Sequence, residues 1–126
     1  MELGPGLSAT VNLTVGEADL ATAFGSGDVP VLATPRIIAL LEEATVAAVA
    51  PFFDAATTTV GQRVQIDHLA PTRRGESVSA EAVLESVAGR RLTFRVSATD
   101  ERGLIAVGRV TRVVVQRDRF LGTPDA

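Results

Sequence analysis

The pattern of this chain predicts an α+β fold, with one long helix against an antiparallel sheet, and three observations carry that prediction. Residues 35–50 form a run rich in Ala, Leu and Ile that ends at Pro51. Downstream, 75–87 and 91–100 alternate apolar and polar residues with the period of two that a half-buried strand requires. Gly-containing breaks at Ala88-Gly89 and between Asp100 and Gly103 separate these runs as tight turns do. A helix followed by three or four such strands is an α+β pattern, with the helix on one sheet face.

The elements follow in order within 126 residues, a length suited to a single domain over 1–126. Residues 8–15 alternate and are β-branched, so they read as a first strand. Residues 16–33 hold Gly25, Gly27 and Pro30 without a sustained period, and read as a loop or lid-like segment. Thr34 is placed as the helix N-cap and Pro35 as the first helical residue, where its missing N–H costs nothing. A helix over 35–50 spans about 24 Å. Its Ile37, Ile38, Leu40, Leu41, Val46 and Val49 cannot share one narrow stripe, so the helix is expected to lie buried at the centre of a wrapping sheet. Strands are expected over 58–68, 75–87, 91–100 and 104–116, with Val78, Ala80, Ala82 and Leu84, then Leu92, Phe94, Val96 and Ala98, facing the core. The tail, 121–126, is expected to fray.

Composition removes many chemistries. The chain has no Cys, which excludes thiol nucleophiles, disulfides and thiolate metal sites. All twelve basic residues are Arg, so Schiff-base chemistry and a phosphate-loop lysine are out. Tyr is absent, and His68 is the only imidazole. No metal site and no resident cofactor are expected. A net charge of −3 and only five Phe give no reason to expect nucleic acid. No stretch approaches the roughly 20 apolar residues of a membrane span, and the N-terminus lacks a basic signal region, so the cytoplasm is the expected location.

A few residues remain that can do chemistry. Glu42 and Glu43 interrupt the apolar helix, where a carboxylate is costly to bury unless it is paired. Each is either a functional group or a solvent-facing charge; Glu43 is read as the latter. Thr34, eight positions before Glu42, shares a broad side of the helix with it. His68 closes a strand, and a lone His there is either structural or catalytic. Gly61, inside the same strand, marks a bulge or a ligand contact. The pairs Arg73-Arg74 and Arg90-Arg91 sit at turns, solvated or gripping the phosphates of a nucleotide carrier.

Segments 33–51, 58–72, 85–100 and 108–120 together resemble the hotdog-fold thioesterases, specifically the fluoroacetyl-CoA thioesterase-like family. The family motif is a Thr opening the central helix, a Glu eight residues on and a His 26 beyond it, matched by Thr34, Glu42 and His68. The resemblance implies a long central helix wrapped by a curved antiparallel β-sheet. It also implies a homodimer or higher oligomer, with acyl-CoA sites between subunits and CoA entering only as part of the substrate. Its activity would be hydrolysis of an acyl-CoA thioester to acid and CoA, with Thr34, Glu42 and His68 catalytic. His68 would be base or acid, and Glu42 nucleophile or activator of water. Gly61 would hold the thioester oxygen and Arg112 would support the site. A family enzyme carries two lid Phe residues where this chain has Gly and Asp within TAFGSGDVP, which points to another acyl group. Gln62 and Arg73 also depart from the family pattern. The alternatives are a non-catalytic acyl-CoA-binding module and a thioesterase acting on an acyl-carrier protein; with a single His, a hydratase lacks its motif.

Overall fold

A computed structural model describes residues 2–122 of the chain. Strand β1 (Ser8–Thr14) leads through a 3-10 turn (Glu17–Asp19) to a short helix α1 (Ala21–Phe24). The long helix α2 (Thr34–Val49) follows, ending in a 3-10 turn (Ala50–Phe52). Then come β2 (Thr57–His68), β3 (Ser77–Ala88), β4 (Arg91–Asp100), β5 (Gly103–Gln116) and a terminal helix α3 (Arg117–Leu121). The five strands form one antiparallel sheet in the order β1-β3-β4-β5-β2, so β1 and β2 are its edges. This is the hotdog arrangement, with α2 laid along the concave face.

The period of two is realised in the core. Val78, Ala80, Ala82 and Leu84 on β3, with Leu92, Phe94, Val96 and Ala98 on β4, are all buried against the helix. Small residues on β3 let the α2 backbone come close, and Phe94 fills the space beside them. Bulges at Gly61/Arg63, Leu84/Ser86 and Ala98/Thr99 bend the strands. The turn at Ala88-Gly89 is tight, with Gly89 at a φ of 62°.

Three expectations are corrected. Helix α2 starts one residue earlier than expected: Ala33 is the N-cap, without a side-chain cap bond, and Thr34 is already helical. Its hydroxyl is engaged elsewhere, as described below. Pro51 does not end the helical run outright, because the chain tightens into a 3-10 turn through it. The helix is not buried all round: Ile37, Leu40, Leu41, Ala44, Thr45, Ala48 and Val49 are buried, whereas Ala39, Val46 and Ala47 on the opposite side are exposed. Residues Arg117–Leu121 form α3, and residues 123–126 of the expected tail lie outside the described residues.

Candidate active site

The site has two halves, and α2 carries one residue of each. At its N-terminus the Thr34 hydroxyl lies 2.8 Å from His68 Nδ1, across 34 residues of sequence. Strand β2 ends at His68, and the next amide, Leu69 N–H, donates to Ile105 O at 2.7 Å, which fixes the strand end against β5. The pair opens on a cleft of about 270 Å³ walled by Ala21, Ser26, Val31, Leu69 and Pro71. The lid-like segment therefore does border the candidate site. It is tied down by Arg36, whose Nε donates to Asp19 Oδ1 at 2.8 Å. Burial works against the charged form of Asp19, but the Gly16 amide and Arg36 outweigh it and hold this carboxyl below its ordinary value.

Burial pushes the His68 pKa below its ordinary 6.5, partly opposed by the Ala70 backbone. The imidazole is therefore neutral near pH 7, the form that accepts a proton. Its Nε2 is enclosed and is the one buried side-chain polar atom without a partner among the described residues. Whichever nitrogen carries the proton, one polar atom of this ring awaits a partner.

Two turns along α2, a rise of about 12 Å from Thr34, lies the second half. Glu42 Oε2 accepts from Arg112 Nη1 at 3.1 Å. Arg112 is 7% exposed and is clamped on its other side: Nε donates to Thr59 Oγ1 at 2.9 Å and Nη2 to Thr59 O at 3.1 Å. Burial lowers the Arg112 pKa, and Glu42 counters that shift. Gly61 makes the arrangement possible. A Cβ built on it would lie 2.5 Å from Glu42 Oε2, so only glycine lets the carboxylate rest there. Gly61 thus lies at a bulge, with Gln62 the extra residue in β2.

The structure therefore joins Thr34 to His68, and joins Glu42 to Gly61 and Arg112. Within one chain Glu42 makes no hydrogen bond to Thr34 or His68. Glu43 pairs with Arg36 at 3.2 Å and its side chain is 57% exposed, in keeping with a solubilising charge. Sequence reasoning missed Thr59 and a second buried threonine. Thr72 donates to Asp100 Oδ2 at 2.9 Å, while its carbonyl accepts from Leu32 N–H at 2.8 Å. It links the β4–β5 turn to the backbone just ahead of Thr34.

Residues 15–118 match the family described as fluoroacetyl-CoA-specific thioesterase. The chain belongs to that family. The fluoroacetyl-CoA thioesterase of Streptantibioticus cattleyicolor is 38% identical over 90 residues, which are 71% of this chain and 65% of that relative. This match spans slightly less than two thirds of the relative's length. Among solved structures, one of the fluoroacetyl-CoA thioesterase superposes with a TM-score of 0.90 at 29% identity, covering 96% of this chain and 94% of that one. A point mutant of that enzyme, in complex with fluoroacetate and CoA, gives a TM-score of 0.86 at 31% identity, covering 95% and 99%. No described helix is long and apolar enough to cross a membrane.

Proposed function

We propose that this protein hydrolyses an acyl-CoA thioester to the free acid and CoA, at a site completed between two copies of the chain. The observation that carries the reading is the division of the site into halves of opposite chemistry. One is a neutral imidazole oriented by a hydroxyl, and the other a carboxylate seated beside a glycine and a buried guanidinium. His68 is the proton acceptor for water, or the donor to the leaving thiolate. Thr34 fixes the ring. Glu42 either attacks the carbonyl carbon or activates water, and the Gly61 backbone N–H faces the developing oxyanion.

Pairing two chains supports this reading. Edge strand β2 is twelve residues long, and α2 leaves Ala39, Val46 and Ala47 exposed. A two-fold axis near residues 64 and 65 would pair β2 with its copy and protect that edge. Such an axis sets His68 of one copy beside Gly61 of the other. The antiparallel helices then bring Thr34 towards the second copy's Glu42. Subunit pairing thus removes the separation of about two helical turns.

The test is thiol release from a panel of acyl-CoAs by wild type, Glu42→Gln and His68→Ala. Turnover of at least one thioester, lowered about 10²-fold or more in both variants, is expected. Tight binding of acyl-CoA with no hydrolysis would transfer the protein to the binding-module reading. Faster turnover of the matched acyl-carrier-protein thioester would make the carrier a protein.

A further inference from the structure

The turn between β4 and β5 carries charges that neither half of the site uses. The Asp100 side chain is only 1% exposed, a burial that a carboxylate tolerates only when it is well bonded. Its Oδ1 accepts from the Arg102 amide at 2.8 Å, and its Oδ2 accepts from the Thr72 hydroxyl at 2.9 Å and from Arg102 Nη2 at 3.2 Å. Burial works against its charge, but the Arg102 amide and the Thr72 hydroxyl outweigh it and hold the carboxyl below its ordinary value. Arg102 reaches further still. Nη1 and Nη2 donate to the two Glu76 oxygens at 2.7 and 2.9 Å, and Nη2 also donates to Pro71 O at 3.2 Å. Exposed ion pairs contribute little one at a time, yet this single guanidinium ties the hairpin to both ends of the loop 71–76 that follows His68.

That loop borders the site. Leu69, Ala70 and Pro71 line the cleft of about 270 Å³, and so do Val31 and Leu32 from the segment ahead of α2. Thr72 joins the two segments: its carbonyl accepts from Leu32 N–H at 2.8 Å while its hydroxyl is bonded to Asp100. The Ala70 backbone bears directly on the imidazole. A shift of the loop therefore reaches His68, Leu32 and the start of α2 together.

We propose that Arg102, braced by Asp100, is a positioning residue for hydrolysis: it holds the loop after His68 in place, and through that loop the imidazole. The inference rests on the thioesterase reading and adds a residue that acts on the site only through the backbone of residues 70–72. The planar fork of arginine meets Glu76 twice and Pro71 O at once, a geometry that an ammonium does not copy. Releasing it lets the wall move away from the ring and admits water. Of the charges on the surrounding elements, Asp67 faces the other side of the sheet beside Arg95 and Arg109. Asp19 is bonded to Arg36, Arg74 to Glu17 and Glu42 to Arg112. None of these pairs involves Arg102, so a change in the ring on losing Arg102 reports the loop.

The experiment reads the ring directly, because His68 is the only imidazole in the chain and its nitrogen resonances are unambiguous. Wild type, Arg102→Ala, Arg102→Lys and Arg109→Ala are titrated by nitrogen NMR, and their kcat on an acyl-CoA and their urea unfolding are measured alongside. The Arg109 side chain is 58% exposed against 54% for Arg102 and also bonds a glutamate, so it controls for loss of one charge and one ion pair. In Arg102→Ala the His68 pKa is expected to rise from its lowered value towards 6.5, since burial is the larger cause of the lowering. Its kcat should fall about tenfold, less than the loss of about 10²-fold that a misplacement of about 1 Å brings. Arg109→Ala should change neither. Arg102→Lys should show the same changes in smaller degree, and carries the comparison if Arg102→Ala does not fold. A ring unmoved in Arg102→Ala, with stability alone reduced, would make the contact structural and overturn the proposal, as would equal changes in Arg109→Ala. If wild type hydrolyses no thioester, the thioesterase reading fails, yet a moved titration in Arg102→Ala still supports control of the ring by Arg102, and an unmoved one overturns it.

Discussion

The two halves of the site are held in contrasting ways. Thr34 and His68 share a single hydrogen bond at the mouth of a cleft, and burial holds the imidazole pKa below its ordinary value. Glu42 rests on an arginine that two bonds to Thr59 lock from behind, under a glycine that admits no side chain. One half is adjustable, suited to giving and taking a proton. The other is a fixed charge array, already organised before substrate arrives. Placing them apart on α2 leaves Glu42 without a hydrogen bond to the imidazole within one chain, and in the proposed dimer subunit pairing would bring the halves together.

The contrast breaks most sharply at Gly61. Gly61→Ala forces a methyl to within 2.5 Å of Glu42 Oε2, so the carboxylate or the strand must shift. A loss of about 10²-fold in kcat is expected, on the scale of a misplaced catalytic group, with near-wild-type urea stability. Wild-type kcat would show that the seat of Glu42 is unimportant.

Thr34→Val tests the adjustable half. Removing one hydrogen bond of about 1 kcal/mol from the ring should lower kcat by several-fold to tenfold. Acidity sharpens this. The folded pKa of His68 lies below its unfolded value, so the neutral base and its contribution to stability are present above pH 6.5 and lost as pH falls through the folded pKa. A profile of kcat/KM should therefore stay level down to pH 6.5 and fall beneath it. An inflection above 6.5 would mean that the imidazole is charged by a neighbour instead.

The smallest expected effect lies behind the site. Thr72→Val removes the bond to Asp100 in a position with 0% exposure. A loss of about 1 kcal/mol in urea unfolding is expected, with activity reduced only as far as Leu32 lets the start of α2 drift.

Much of this architecture was legible from residue order. The inward faces of β3 and β4 follow from a period of two, because one sheet face is solvated and the other packed on α2. The family spacing singled out Thr34, Glu42 and His68. It could not say who pairs with whom, since Thr34 meets His68 across 34 residues and Glu42 meets Arg112 across 70. Thr59 and Thr72 gave no signal for the same reason: their partners lie 53 and 28 residues away. The uncovered side of α2 was misread as core, because hydrophobicity reports a need for burial without saying whether sheet or second subunit meets it. Helix α3 was missed because five residues are too few to display a period.

The most direct test of the shared site mixes two inactive proteins. Glu42→Gln and His68→Ala, unfolded together and refolded as a mixture, form mixed pairs in which one site carries both substitutions and the other neither. If each site draws its halves from two chains, activity returns to about a quarter of wild type for random pairing of a two-fold dimer. A mixture as inactive as its parents would place Glu42 and His68 in the same subunit's site and contradict the account.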